Sequence, residues 1–401
     1  AWDEEQVIIE ASHLRQQRSG RVDGEIKVLA SLPGAKRHLT ACHFDFSSQT
    51  ARIGIVKRLD AKLALGWDDI FEQLCREVIA KVREGEPVLE LWPADAKPPE
   101  FLLEPLLIKH MPAVIFGDPG KGKSIVAHLC CILLFLYGSN DLRLKTDSQS
   151  HETLYLDWES DADDARWQHR CLLDGLGLPY YPLRYRRCMQ PLAEDIDEIQ
   201  RKIIEVSATN LVIDSLAGAA GGDLNKTDIA LPFWAAHRQL RTAQGKPMTS
   251  LILAHTTKNP ETKKRSIYGN TFFTAYSRSV WEIMGEQEMG SNVLEIGLRH
   301  TKFNPIGQQK PLGYKLTFDR EAGKTLVEYQ DPRNMDEMLK HLSQRQQVLA
   351  ALKNGAMEVA ELAEILETGQ ATVKSLLYRM KSKREVTALS GTRWGLAAHE
   401  E

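Results

Sequence analysis

The chain has 401 residues, of which 43% are hydrophobic and 26% are charged, and its formal net charge is −3. These values are typical of a soluble globular protein with two or three domains, and they exclude a uniformly basic nucleic-acid-binding protein. The longest apolar run, residues 125–137, is too short to span a bilayer, so no membrane association is expected. The six cysteines form no C-x-x-C pair, which favours core thiols in a reducing cytoplasm over a metal site.

Residues 1–95 predict a small N-terminal α/β domain. Strands are expected over residues 25–31 and 38–46, and apolar residues at helical spacing predict a helix over residues 67–84. Four prolines between residues 87 and 99 mark a linker. Lys36, Arg37 and Arg52 could contact nucleic acid, but a solvated surface is the better interpretation. The sequence assigns this domain no function.

Residues 117–124 spell G-D-P-G-K-G-K-S, the phosphate-binding loop, between an apolar strand and an apolar helix. In this motif the loop N–H groups and the helix N-terminus cradle phosphate oxygens, while the lysine reaches the β- and γ-phosphates and the serine hydroxyl ligates Mg²⁺. The motif therefore predicts ATP and Mg²⁺ as cofactors, and a simple surface turn is a poor alternative. The predicted nucleotide-binding residues are Gly117, Asp118, Pro119, Gly120, Lys121, Gly122, Lys123, Ser124 and Ile125.

Apolar strands and helices alternate through residues 100–330, which favours an α/β fold with a mostly parallel sheet covered on both faces. Parallel strands are expected over residues 113–116, 153–157, 210–213, 250–254 and 280–283. Residues 292–300 and 313–318 are expected to extend the sheet in antiparallel fashion.

Acidic residues follow two of these strands. Asp214 ends one strand and is expected to lie beside Mg²⁺, the alternative being an aspartate that caps the next turn. Glu159 lies just beyond another strand, on the side where open α/β sheets bind ligands, and could orient and deprotonate a water molecule. Asp157, two residues earlier, is the rival candidate for that role.

A third strand ends in His255, which could sense the γ-phosphate, although a lone histidine is more often structural. Residues 258–265 follow as a polar segment with four cations, expected to be a mobile loop: Lys258, Lys263, Lys264 and Arg265. Arg278 precedes the next strand.

Residues 340–398 predict a winged helix-turn-helix, with helices over residues 344–354, 359–366 and 370–381 and a hairpin over residues 386–396. Residues 370–396 carry six cations and one acid, Glu385, which favours DNA contacts over protein contacts. Groove-facing positions are Gln370, Thr372, Lys374 and Ser375. The DNA-binding cations expected here include Lys374, Arg379, Lys381 and Lys383.

The ordered set of motifs over residues 100–300 resembles the RecA-like ATPases, and most closely the RepA-type hexameric replicative helicases of plasmids, phages and mobile elements. The resemblance implies catalytic roles for Glu159 and Lys123, an Mg²⁺-associated Asp214, and a His255 that couples the γ-phosphate to a DNA-binding loop. It also implies that Arg278 is an arginine finger for the neighbouring subunit's ATP. The active form would be a homo-oligomer, a six-membered ring with single-stranded DNA in its channel.

In such a ring, residues 216–225 and 258–267 would grip the single strand, and the winged helix could hold duplex DNA. The chain departs from the family at Tyr268, where a basic residue is common, and in carrying residues 1–95 and the C-terminal module. The hypothesis is therefore an oligomeric Mg²⁺-ATP-dependent motor that acts on DNA, a replicative helicase of a plasmid, phage or mobile element. Alternatives are an ATP-controlled DNA-binding regulator, or a recombination or defence ATPase that does not unwind DNA.

Overall fold

The computed structural model describes residues 6–17, 19–31, 38–85, 88–138, 140–147, 149–257, 265–303, 307–335, 338, 343–353, 355–389 and 392–397. The chain divides into two structural units, residues 1–97 and residues 98–401. Within the described residues, no helix is both long and apolar enough to cross a membrane. All six cysteines are free thiols, and five of them are buried.

The first unit contains one antiparallel sheet and two helices. The elements are β1 (Val7–Gln16), β2 (Val22–Ala30), β3 (His38–Asp45), α1 (Gln49–Asp60) and α2 (Trp67–Glu84). The sheet order is β1-β2-β3. Large aromatic side chains from β3 and α2, among them Phe44, Trp67 and Phe71, form its core. The sequence predicts β2, β3 and α2 but not β1 or α1, because α1 buries only Ile55, Val56 and Leu59 and lacks a clear apolar stripe.

The second unit is built on a nine-stranded sheet with a small three-stranded sheet beside it. The strands are β4 (Phe101–Glu104), β5 (Leu107–Ile108), β6 (Pro112–Gly117), β7 (Lys145–Thr146), β8 (Thr153–Asp157), β9 (Arg184–Arg187), β10 (Asn210–Asp214), β11 (Thr249–His255), β12 (Ser279–Glu286), β13 (Val293–Phe303), β14 (Leu312–Asp319) and β15 (Lys324–Tyr329). The small sheet has the order β5-β4-β7, and the large sheet has the order β15-β14-β13-β12-β6-β11-β10-β8-β9.

The strands from β12 to β9 in that order run parallel to one another, and β13, β14 and β15 run antiparallel. The predicted α/β fold with a mostly parallel sheet and an antiparallel extension is therefore confirmed. The predicted strands are present with small shifts at their ends. The sequence did not predict β9 or β15, because β9 is short and arginine-rich and β15 buries only alternate residues.

Helices cover both faces of the large sheet, as expected for buried parallel strands. They are α3 (Lys123–Leu136), α4 (Ala162–Leu176), α5 (Ile196–Glu205), α6 (Leu216–Ala220), α7 (Thr227–Gln239) and α8 (Thr271–Tyr276). Apolar residues of α3 and α4 share one core with one sheet face. Apolar residues of α5, α6, α7 and α8 share a second core with the other face.

The chain ends in a helical module that has its own apolar core. Its elements are α9 (Gln344–Lys353), β16 (Met357–Glu358), α10 (Val359–Ile365), α11 (Gln370–Ser382), β17 (Val386–Ala388) and β18 (Arg393–Leu396), with sheet order β16-β18-β17. Val373, Leu376, Leu377 and Met380 of α11 are buried, as their spacing predicts. Residues 390–391 of the predicted hairpin turn lie outside the described residues. The winged helix-turn-helix interpretation stays a prediction.

Candidate active site

Four predicted site residues meet at the carboxyl edge of the large sheet. In the strand register His255 of β11 is paired with Gly117 of β6, and Asp214 of β10 is paired with Asp157 of β8. Because neighbouring parallel strands end together, side chains that are far apart in the sequence become neighbours here. The phosphate loop, Asp157, Asp214 and His255 therefore share one edge of the sheet.

The phosphate loop joins β6 to α3 and depends on glycine at specific positions. Gly120 and Gly122 have φ angles of +73° and +82°, which side chains rarely adopt. A Cβ atom on Gly117 would lie 2.5 Å from the carbonyl oxygen of Ile283, so no larger residue fits there. The loop ends where α3 begins at Lys123, and the free N–H groups of that first turn form an anion site.

Lys123 is 8% exposed and lies at the start of α3. Its Nζ donates to the carbonyl oxygens of Gly117 at 3.2 Å and Asp118 at 2.9 Å. Burial lowers the pKa of this ammonium, while the carboxylates of Glu159, Asp214 and Asp118 raise it. Phosphate oxygens are stronger acceptors than these neutral carbonyls, so Lys123 is placed to exchange one set of partners for the other.

Ser124 and Asp214 face each other across the loop. The Ser124 hydroxyl donates to Oδ2 of Asp214 at 2.9 Å, and the Tyr155 hydroxyl donates to the same oxygen at 2.7 Å. Burial raises the pKa of the Asp214 carboxyl, which these hydrogen bonds partly offset. A hydroxyl and a carboxylate are oxygen ligands of the kind that Mg²⁺ prefers, together with phosphate oxygens and water. The described residues hold no group of three or more His, Cys, Asp or Glu side chains placed to bind a metal ion.

Asp157 and Glu159 have different environments. Asp157 is 2% exposed. Its Oδ1 accepts from the backbone N–H groups of Glu159 and Ser160 at 2.8 and 2.9 Å, and its Oδ2 accepts from the Tyr185 hydroxyl at 3.0 Å. Through these hydrogen bonds Asp157 stabilises the turn that follows β8. Glu159, in contrast, lines the cavity beside the phosphate loop.

Two side chains hold the Glu159 carboxylate. The Ser215 hydroxyl donates to Oε1, and Nε2 of His255 lies 3.4 Å from the same oxygen. The other ring nitrogen of His255, Nδ1, is buried without a hydrogen-bond partner among the described residues. His255 therefore connects Glu159 to the end of β11, so a movement of the Glu159 side chain would change the contacts of His255.

The cavity at the phosphate loop is about 490 Å³ in volume, and Ser124, Ile125, Glu159, Asp214 and His255 are among its lining residues. A second cavity of about 800 Å³ adjoins it and shares Trp167 and Phe318 with it. Sequence reasoning did not single out these two rings. Trp167 lies on α4, eight positions after Glu159, and its 52% exposure is unusual for tryptophan, whereas Phe318 is distant in sequence and offers no local signal.

Two loop side chains point away from this cavity. Nζ of Lys121 donates to the carbonyl oxygen of Gly285 at 2.5 Å. The carboxylate of Asp118 forms an ion pair with Arg265. The side chains of Lys121 and Asp118 therefore do not face the cavity, and these residues contribute to the loop only their backbone groups.

Arg278 is exposed and lies at the opposite edge of the sheet. It precedes β12, whose first residue Ser279 is paired with Ala113 of β6, and its N–H donates to the carbonyl oxygen of Pro112 at 3.1 Å. Four residues of β6 separate this end from Gly117, about 13 Å of extended chain. Arg278 therefore lies away from the phosphate loop of its own chain.

The predicted DNA contacts fall into three groups. Lys258, Lys263 and Lys264 lie outside the described residues. Arg265 lies against Asp118 at the sheet edge rather than on an exposed loop, because the bridge between Thr256 and Ile267 returns the chain to β11. Residues 216–225 begin with the helix α6.

On α11 and just after it, the predicted DNA-binding cations Lys374, Arg379, Lys381 and Lys383 are exposed. Each is free of ion pairs as far as the described residues extend.

Residues 88–261 match the family described as AAA domain. Solved structures with similarity include a KaiC-like protein from Pyrococcus horikoshii (15% identity, 60% of this chain and 99% of that chain, TM-score 0.39). They also include the RadB recombinase (10% identity, 56% of this chain and 92% of that chain, TM-score 0.40). A third is the flagellar accessory protein FlaH from Methanocaldococcus jannaschii (15% identity, 56% of this chain and 90% of that chain, TM-score 0.34). No curated protein matches the chain. The AAA match, the phosphate loop and the α/β sheet together support the predicted P-loop ATPase domain.

Proposed function

We propose that this protein is an oligomeric, Mg²⁺-dependent ATPase that moves on DNA, a replicative helicase of a plasmid, phage or mobile element. The observation that carries the proposal is the convergence of Lys123, Ser124, Glu159, Asp214 and His255 around one cavity at the phosphate loop. This set supplies a phosphate cradle, metal ligands and a general base within one site.

ATP would bind along the two adjoining cavities. The phosphates would lie at the first turn of α3, and the base would extend toward the cavity that Trp167 and Phe318 border. The half-exposed ring of Trp167 and the partly buried ring of Phe318, next to a polar phosphate site, offer a stacking surface for a purine. Their position supports a nucleotide rather than a simple phosphate as the ligand.

Ser124 and Asp214 would hold Mg²⁺, which supplies charge neutralisation at the phosphates when bound. Glu159 would orient the attacking water and take its proton, since its carboxylate is held by Ser215 and His255 and remains 47% exposed to the cavity. Lys123 would leave the loop carbonyls and bind the β- and γ-phosphate oxygens. His255, in contact with Glu159, would transmit the state of the site to the segment that follows β11.

Arg278 would act on the ATP of a neighbouring subunit. Its exposure and its distance from the phosphate loop of its own chain support a role in trans. A guanidinium that approaches the γ-phosphate from another subunit stabilises the charge of the transition state. The site would then be complete only in an oligomer, for which a hexameric ring is proposed, with single-stranded DNA in the channel.

The test is ATP hydrolysis by the full chain with and without single-stranded DNA, together with strand displacement on a forked duplex. Glu159→Gln should lower turnover by about 10²- to 10⁴-fold with little change in ATP affinity. Glu205→Gln, an exposed glutamate paired with Lys202 on α5, is the matched control and should behave as wild type. Absence of DNA stimulation, or an active Glu159 variant, would overturn the proposal.

The second candidate is an ATP-controlled DNA-binding regulator. The exposed cations of α11 favour it, because a basic third helix suits duplex DNA. Strand displacement that survives deletion of residues 340–401 would count against this candidate. Binding of one duplex sequence without any displacement would favour it.

A further inference from the structure

Arg265 lies between two carboxylates at the edge of the large sheet. Its guanidinium forms an ion pair with Asp118 of the phosphate loop, and Nη1 lies 3.8 Å from Oε1 of Glu282 on β12. Neither Asp118 nor Arg265 lines the cavity at the phosphate loop. Arg265 therefore contacts the loop outside the lining of the cavity.

Glu282 is the buried end of this arrangement. It is 1% exposed, and in the strand register it is paired with Phe116, the residue before Gly117. Nη2 of Arg299 donates to Oε2 of Glu282 at 2.5 Å. Oε1, the oxygen that faces Arg265, has no hydrogen-bond partner among the described residues. A buried carboxylate is costly unless cations compensate it, so the Glu282 charge favours a guanidinium close to each of its oxygens.

Asp118 connects the Arg265–Glu282 pair to Lys123 of the phosphate loop. Its side chain is held by Arg265, and its backbone carbonyl accepts from Nζ of Lys123 at 2.9 Å. A displacement of Asp118 would therefore move both the loop backbone that cradles phosphate and the acceptor of Lys123. The ion pair also neutralises a carboxylate that would otherwise oppose a polyanionic ligand at the same loop.

We propose that Arg265 is a positioning residue that anchors the phosphate loop to the buried Glu282 through Asp118, and thereby sets ATP affinity. The inference rests on the proposed nucleotide binding and adds to it a residue that touches neither ATP nor the reacting atoms. The guanidinium fork is needed because it engages two carboxylates at once, which a lysine ammonium does less well.

The experiment is a double-mutant cycle on ATP affinity in the full chain, measured with a fluorescent non-hydrolysable ATP analogue. Arg265→Ala leaves Asp118 charged and unpaired and should weaken binding by about tenfold, a loss typical of a broken charge-assisted contact. Asp118→Asn also breaks the anchor but removes the charge, so its affinity should fall below wild type and stay above that of Arg265→Ala. Asp118→Asn/Arg265→Ala should match Asp118→Asn, because both lack the anchor and neither leaves Asp118 charged.

Three outcomes are distinct. Affinity below wild type in Asp118→Asn, matched by the double variant and with Arg265→Lys intermediate, supports the positioning role, since two residues that serve stability independently give additive losses. Wild-type affinity in Arg265→Ala overturns it, and so does wild-type affinity in Asp118→Asn, which would leave charge neutralisation as the whole effect. Failure of the wild type to bind the analogue would instead overturn the proposed function.

Circular dichroism and thermal unfolding identify a variant that does not fold. If Arg265→Ala is one of these, Arg265→Gln completes the same cycle. Arg201→Ala is the matched control, because it breaks an exposed ion pair, with Glu198 on α5, that belongs neither to the phosphate loop nor to β12. Its ATP affinity should stay closer to wild type than that of Arg265→Ala.

Discussion

The carboxyl edge of the large sheet and the surface of α11 carry charges that are held in different ways. At the sheet edge Lys123, Glu159 and Asp214 each have partners within the chain. On α11 the cations Lys374, Arg379 and Lys381 are exposed, and they have no ion-pair partner in the part of the chain that the structure describes. Glu385, the acid nearest in sequence to Arg379 and Lys381, is already bound by Arg345 through two contacts of 2.7 Å.

This difference separates a preorganised site from an electrostatic surface. Groups at the sheet edge are oriented toward particular atoms, so one substitution there should remove most of the binding or catalysis that the group supports. Cations on a solvated helix act by their sum, so one substitution should change little and its effect should depend on salt. The experiments below test this contrast, starting from the largest expected effect.

Arg278→Ala should lower turnover by about 10³-fold or more, because an arginine finger contributes on that scale. ATP affinity should change little, because Arg278 lies at the other edge of the sheet from the phosphate loop of its own chain. Steady-state ATPase kinetics and analogue binding measure the two effects separately. Equal losses in both would place Arg278 in a structural role instead.

Mixing the Arg278→Ala and Glu159→Gln proteins tests whether the finger acts in trans. A mixed oligomer contains sites with Glu159 from one variant and Arg278 from the other, so activity should reappear when two inactive proteins are combined. If Arg278 acted on its own subunit, each site would still lack one group. No recovery under conditions where subunits exchange would therefore contradict a role in trans.

Lys123→Ala should weaken ATP binding by about 10- to 100-fold and turnover by at least as much, since it removes a charge-assisted contact to phosphate. Lys121→Ala is a matched control from the same loop, because its side chain donates to the carbonyl of Gly285 and faces away from the cavity. Calorimetric titration with ATP compares the two. Similar affinities for both variants would show that the lysine contact contributes little.

The sheet edge was largely predictable from the sequence because its determinants are local. The glycines of residues 117–122 need particular backbone geometry, and Asp214 and His255 end apolar strands whose length is evident. Since parallel strands end together, the proximity of these residues follows from the fold class alone. The order of the strands was not needed for that conclusion.

Long-range contacts could not be predicted in this way. Nothing local indicates that Arg265 returns to Asp118, which lies 147 positions earlier, or that Trp167 and Phe318 border one cavity. The sequence favoured Glu159 over Asp157 by its position beyond the strand end alone, and the hydrogen bonds of Asp157 at the end of β8 could not be predicted. The roles of Arg278 and of the C-terminal cations stay predictions.

Asp214→Asn should stabilise the nucleotide-free protein at neutral pH while it removes hydrolysis. Burial raises the pKa of Asp214 above its ordinary value, so the charged form is unfavourable in the folded state. This destabilisation is absent below the unfolded pKa and is complete once the pH exceeds the raised folded pKa. Thermal unfolding without Mg²⁺ at pH 4 and pH 7.5 should show the gain only at the higher pH, and a less stable variant at pH 7.5 would refute it.

The smallest expected effect per residue is on α11. Lys374→Ala, Arg379→Ala and Lys381→Ala should each weaken duplex DNA binding only a few-fold, and each should reduce the slope of log K against log salt by about 0.9 if the cation contacts one phosphate. The three losses should be close to additive, because exposed cations without shared partners act independently. Lys57→Ala on α1 of the first unit is an exposed control that should leave the slope unchanged. Fluorescence anisotropy over a salt series measures all four variants.

A loss concentrated in one substitution, with an unchanged slope, would mean that α11 presents an oriented contact of the kind found at the sheet edge. The contrast between the two regions would then fail.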